Sequence, residues 1–279
     1  MRDEELLSHG FTFCLDQPGR GRKFRKNLFF PARGVEGSAP LLVFCHGFIT
    51  KTELYRAYGR ISLEGVHVFL LDYPDNFAQP VPVATVAEDI LSSVAQLRDL
   101  PPEEFGERME GEAEVEFDRL VLAGHSKGSA ASLEACRLAA RYELEPAGVV
   151  GLSPPALFGH RPDYRDYLIE RFGRIKPPVL LITGDRDPIT PLDGVRRLME
   201  VLPPPKALAV VRGANHTFFS GWENPMLRDG PAELAPAEQL HIGVSLTGRF
   251  ACLVLEGRLG EGIGELARGF AEVELAYEL

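Results

Sequence analysis

Six short apolar runs, at residues 41–45, 66–71, 120–123, 148–152, 179–183 and 208–211, each reach a Gly, Pro or Asp within two residues. Most are separated by stretches with helical character. Apolar side chains on both faces of a strand require cover on both sides, and the stretches between the runs are long enough to supply it as crossover helices. The expected class is therefore α/β, a mostly parallel sheet flanked by helices. One such helix is predicted over 85–100, where Val86, Ile90, Val94 and Leu97 recur at spacings of three and four and share a face.

The ends of the chain read differently. Residues 11–15 and 27–30 are short strand-like runs joined by the basic, Gly-containing segment 18–26, which predicts an antiparallel N-terminal hairpin. Its Arg20, Arg22, Lys23, Arg25 and Lys26 fit a solvated turn. The run 208–211 reads as the last strand. Beyond it Leu240, Ile242, Val244 and Leu246 alternate, yet Pro236 suits a first helical turn and Phe250, Leu253 and Val254 continue at helical spacing, so the tail is assigned to helix.

With 279 residues, 45% of them hydrophobic, the chain can bury one sizeable core, and a single domain over 1–279 is expected. The formal net charge of −10 repels phosphate backbones, which argues against nucleic acid as a partner. Residues 1–10 are charged and lack the apolar core of a signal peptide, and no run approaches the length of a membrane span; a cytoplasmic location is expected. Cys14, Cys45, Cys136 and Cys252 have no metal-ligand spacing and read as reduced thiols, those at 45 and 136 buried. The acidic stretch 101–116 reads as a solvated segment that enters the 120–123 strand at its amino end, away from where ligands sit in parallel sheets.

Chemistry concentrates in Gly124-His125-Ser126-Lys127-Gly128. G-x-S-x-G matters where a strand turns sharply into a helix, because the turn projects the serine hydroxyl under strain while the glycines leave room for it. Here a strand precedes and an Ala-rich helical segment follows. A serine hydroxyl needs a base to take its proton, and the base needs an orienting acid. Gly184-Asp185-Arg186-Asp187-Pro188 follows the strand 179–183, and Asn215-His216 follows the strand 208–211. The order Ser, Asp, His is the one this setting requires.

On these residues the sequence resembles the α/β-hydrolase superfamily, from about residue 41 to the final helix. The resemblance implies Ser126 as nucleophile, His216 as general base and Asp187, rather than Asp185, as the orienting acid. It also implies an oxyanion hole formed by the backbone N–H of Lys127 and of Phe48, the latter in His46-Gly47-Phe48, which is similar to the family's H-G-x element. Phe29-Phe30-Pro31, His46-Gly47-Phe48 and the serine pentapeptide resemble the chlorophyllase and polyester-hydrolase (cutinase-like) side of the superfamily, with Ser129 and Lys127 departing from its usual residues. His125 and His46 are read as packing or hydrogen-bonding groups. Only residues 154–176 separate two strands at the position where a lid is usually inserted, so no large cap domain is expected.

The implied reaction is hydrolysis of a small-molecule or lipid-like carboxylic ester through an acyl-enzyme, with no metal or organic cofactor. A thioesterase, amidase or acyltransferase would use the same groups, and a non-catalytic binding protein could keep the fold. Phe158, Phe218 and Trp222 are candidates to line the substrate pocket, with aromatic packing the competing explanation. Oligomeric state is open.

Overall fold

The computed structural model describes residues 10–15, 25–75, 78–100, 109, 112–155, 169–223 and 229–279. Nine strands form one sheet: β1 Phe11–Leu15, β2 Arg25–Phe30, β3 Ser38–Cys45, β4 His67–Leu71, β5 Glu114–His125, β6 Pro146–Leu152, β7 Val179–Gly184, β8 Lys206–Val211 and β9 Val273–Glu278, in the spatial order β1-β2-β4-β3-β5-β6-β7-β8-β9. The six strands from β3 to β8 run parallel, while β1 and β2 pair antiparallel at one edge and β9 pairs antiparallel with β8 at the other.

Alternation along each central strand feeds two cores. Leu41, Val43 and Cys45 of β3, with Leu120 and Leu122 of β5, face a layer that holds helices α1 (Val83–Asp99), α2 (Lys127–Leu138) and α3 (Leu192–Val201). Val86, Ile90, Val94 and Leu97 are the buried stripe of α1 that its spacing predicts. Leu42 and Phe44, with Val121 and Ala123, face the opposite layer, made by the 3-10 helix Thr52–Glu64 and the long helix α4 (Pro236–Leu255) through Tyr55, Tyr58, Ile242, Leu246 and Phe250. Pro at the first turn starts α4 as expected, so the tail's alternating apolar residues are one helical face rather than a strand.

Three expectations are corrected. β8 is not the last strand: Val273–Glu278 adds β9 in register from Lys206↔Glu278 to Val211↔Val273. Its half-exposed, Glu-rich pattern is that of an edge strand, which needs no continuous apolar run. The strand at 120–123 begins earlier, at Glu114, because residues 114–116 of the acidic stretch pair with residues 38–40 of β3; most of 101–111 lies outside the described residues. The N-terminal hairpin forms, but its second strand begins earlier, at Arg25, so Arg25 and Lys26 belong to β2, where they pair with Leu15 and Cys14, rather than to the turn, while residues 18–24 lie outside the described residues. Among the described residues no helix is long and apolar enough to cross a membrane.

The strand order fixes where loops meet. From β3 the chain moves outward to β4 and then returns to place β5 on the other side of β3, so the sheet's order reverses there, and the loops after β3 and β5 open a crevice at the carboxyl ends. The loops after β7 and β8 lie at the same end of the sheet.

Candidate active site

Ser126 sits between β5 and α2 with φ 53° and ψ −120°, a left-handed conformation that costs a residue bearing a side chain on the order of 1–3 kcal/mol. The surrounding packing holds it there. A Cβ on Gly128 would fall inside contact distance of the Cys45 and His46 carbonyl oxygens, and one on Gly124 would meet the Gly128 backbone. The two glycines of the pentapeptide thus allow α2 to lie against β3 and β5 at the turn. Ser126 N–H donates to the Leu152 carbonyl (2.8 Å), and the Ser126 carbonyl accepts the first bonds of the helix from Ser129 and Ala130.

The loop after β8 brings His216 to this turn. His216 Nε2 lies 2.9 Å from Ser126 Oγ, and His216 Nδ1 lies 2.8 Å from Asp187 Oδ2. A carboxylate only accepts, so Nδ1 carries the proton and Nε2 is left to accept from the serine hydroxyl. All three residues are buried. Burial by itself disfavours the charged imidazolium, but the Asp187 charge and hydrogen bond outweigh it and raise the His216 pKa above its ordinary value. Burial likewise opposes ionisation of Asp187, whose pKa is nevertheless lowered by the His216 charge and by hydrogen bonds from His216 and Thr190.

Asp187 is oriented within its own turn. Its Oδ1 accepts the backbone N–H of Ile189 (2.9 Å) and Thr190 (2.7 Å), and its Oδ2 accepts Thr190 Oγ1 (2.6 Å). Asp185, two residues earlier, is exposed and caps the Gly213 N–H at 2.7 Å. The His216 loop is clamped in turn: Asp229 accepts from the N–H of His216, Thr217 and Gly230 and from Thr217 Oγ1, while Gln239 of α4 accepts from the Asn215 N–H and donates to its carbonyl.

His46 and His125 occupy supporting positions. His46 Nε2 accepts the Tyr73 N–H (3.1 Å), so its Nδ1 donates to the Gly47 carbonyl (2.7 Å), and its ring stacks on Tyr73 at 4.2 Å. His125 lies between Tyr55 Oη and the His216 carbonyl. Gly47 brings the loop after β3 against the serine, since a Cβ there would stand 3.5 Å from Ser126 Cβ. Phe48, next in that loop, is buried, and Lys127 opens α2 with its side chain wholly buried.

The pocket candidates divide. Phe158 lies outside the described residues; Phe218 is half-buried two residues after His216; Trp222 is 42% exposed. Tyr55, Thr190, Asp229, Gln239 and Asp75 are not marked by sequence. Tyr55, Tyr58 and Ile61 recur every three residues, the period of the 3-10 helix they occupy, and that spacing could have flagged the first. The others carry no motif, and their partners are distant in sequence or belong to irregular turns.

Chemically, a serine O–H directed at a neutral imidazole that is backed by a buried carboxylate can pass its proton as the oxygen bonds to an electrophile. The α/β-hydrolase family described as TAP-like protein matches residues 165–228, the stretch that carries both Asp187 and His216. No curated protein matches the chain. Taken with the nine-stranded, mostly parallel sheet, the family match supports an α/β-hydrolase fold.

Proposed function

We propose that this chain is a serine hydrolase that cleaves a carboxylic ester through an acyl-enzyme. The observation that carries the reading is the continuous chain from Asp187 through His216 to Ser126, 2.8 Å and 2.9 Å long at its two links, ending on a strained serine.

Ser126 Oγ attacks the ester carbonyl as its proton passes to His216 Nε2, and Asp187 stabilises the imidazolium. The carbonyl oxygen gathers negative charge and takes hydrogen bonds from the backbone N–H of Phe48 and Lys127. Collapse expels the alcohol, protonated by His216, and leaves Ser126 acylated. Water then attacks the acyl carbon, giving its proton to His216, and the acid departs as Oγ recovers a proton.

The resemblance of the Phe48 and Ser126 segments to the chlorophyllase and polyester-hydrolase side favours an oxygen ester over a thioester or amide. Phe218, Trp222 and Phe158 remain the proposed pocket side chains, on one domain spanning the chain and acting in the cytoplasm. The test is turnover of p-nitrophenyl esters from acetyl to palmitoyl by wild type and Ser126→Ala, with fluorophosphonate labelling in parallel. Turnover and labelling that both vanish in Ser126→Ala support the reading, and a folded wild type that does neither refutes it.

A further inference from the structure

The Lys127 side chain stands out because a fully buried ammonium beside an active serine has no obvious part in proton transfer. Its Nζ lies 2.6 Å from Asp75 Oδ2, and both side chains are completely buried. The same ammonium stands over the Phe48 ring, 5.0 Å from its centroid. Asp75 follows β4, and its other oxygen, Oδ1, accepts the Val81 N–H at 3.0 Å, just ahead of α1.

We propose that Lys127 is the positioning residue of the oxyanion hole: it offers one donor through its backbone and holds the other donor residue, Phe48, through its side chain, with Asp75 as the anchor. This rests on the function proposed above. Removing two charges from water costs about as much as their attraction returns, so a buried pair adds little to stability compared with an apolar pair of equal volume. What it adds is direction. A thioether or alkyl chain at position 127 would fill the space, but it would draw neither on a carboxylate nor on the negative face of an aromatic ring. The ammonium does both, and thereby couples three segments: the serine turn, the loop after β3 and the loop after β4. Two N–H donors carried by different loops must converge on one oxygen, and loss of one such donor costs on the order of 100- to 1,000-fold in rate. A donor displaced rather than lost should cost less, about 10- to 100-fold.

The test compares Lys127→Met, Asp75→Asn, the double variant and Lys127→Arg by thermal midpoint, by kcat and KM on a p-nitrophenyl ester, and by the affinity of a trifluoromethyl ketone that mimics the tetrahedral adduct. The double variant removes both charges and should fold. Expected are KM within about threefold of wild type, kcat lower by about 10- to 100-fold, an equal loss of ketone affinity, and partial recovery in Lys127→Arg. A folded double variant whose kcat and ketone affinity stay within about threefold of wild type would overturn the proposal. Phe48→Leu leaves the ion pair intact and guards against misfolding: kcat should fall with KM unchanged, and an unchanged kcat overturns the proposal as well. Failure of the hydrolase reading is distinguishable, because wild type itself would then neither turn over the ester nor be labelled at Ser126.

Discussion

His125 Nε2 donates to the backbone carbonyl of His216 across 3.0 Å, so the residue before the proposed nucleophile holds the loop of the proposed base. The direction follows from the partners: a carbonyl only accepts, which leaves His125 Nδ1 to accept from Tyr55 Oη at 2.7 Å. Tyr55 in turn accepts the Gly47 N–H at 3.3 Å. One hydrogen-bond chain thus ties the loop after β3, the turn after β5 and the loop after β8. Burial, followed by the neighbouring His216, pushes the His125 pKa down to about 3, so the ring stays neutral and the chain keeps its polarity at ordinary pH.

Tyr55→Phe deletes the hydroxyl at the centre of this chain and leaves a buried His125 nitrogen without its donor. The expected cost is about 1–3 kcal/mol of unfolding free energy, measured by urea denaturation. A smaller loss of kcat should accompany it, because the His216 carbonyl is still held by His125. Unchanged stability would contradict this account.

The pH profile follows from His216. The base works only when neutral, and its pKa is raised, so activity is lost as pH falls through a value above 6.5. An unperturbed imidazole would place that limb near the reference value of about 6.5; Asp187 moves it. Asp229 also contributes to the rise by its charge. In Asp229→Asn the acid limb of kcat/KM should therefore shift towards lower pH, and a limb that stays in place would show that Asp229 acts only as a clamp for the loop.

Much of this arrangement is legible in the amino-acid sequence. Continuous apolar runs mark the six parallel strands because burial on both faces leaves no other pattern, and the strand-turn-helix setting marks Ser126. His216 and the Asp185/Asp187 pair are legible because they lie in turns that follow strands of that sheet, and the choice of Asp187 over Asp185 is what the family resemblance implies. β9 is not legible: an edge strand is covered on one side only, and Val273–Glu278 mixes glutamates with apolar residues in a way that many exposed segments share. Nor are Asp75, Tyr55 and Asp229. Asp75 and Tyr55 meet the site through partners distant in sequence, 52 residues apart for Asp75 and Lys127 and 70 for Tyr55 and His125, and although the three-residue period of Tyr55, Tyr58 and Ile61 marks a buried face, no local pattern encodes the meeting itself.

Thr190→Val tests how far the orienting acid depends on its own turn. The change keeps shape and removes the Oγ1–H donor 2.6 Å from Asp187 Oδ2, the oxygen that also receives His216. Hydrogen bonds to a charged acceptor contribute about 1.5–3 kcal/mol. If a fraction of that acts through the His216 orientation, kcat should fall by about 3- to 30-fold with KM little changed. Asp187→Asn, which also disturbs the His216 tautomer, should be far worse, by on the order of 10,000-fold. Equal losses in the two variants would mean that Thr190 is essential rather than supporting.

Acid should destabilise the fold before it titrates most carboxylates. His67, at the start of β4, accepts the Ala32 N–H at Nδ1 (3.0 Å), so its Nε2 donates to the Glu114 carbonyl (3.2 Å), a pairing that needs a neutral ring. Burial lowers its pKa to about 4, against about 6.5 in the unfolded chain. For a group with a depressed folded pKa the unfolded state binds more protons below 6.5, so its contribution to stability is present above pH 6.5 and is lost as pH falls towards 4. The loss from His67 alone is about 3 kcal/mol over that window. His125 adds to the slope in the same direction down to about pH 3. His216 does not, because its raised pKa makes its contribution complete below 6.5 and diminishing only as pH rises. Urea unfolding at pH 7, 6 and 5 should show stability dropping at each step, and His67→Gln, which cannot take up a proton, should remove about one proton's worth of that slope. Equal stability at pH 7 and pH 5 would mean that these two rings accept protons in the folded protein and make hydrogen bonds other than those to Ala32, Glu114, Tyr55 and His216.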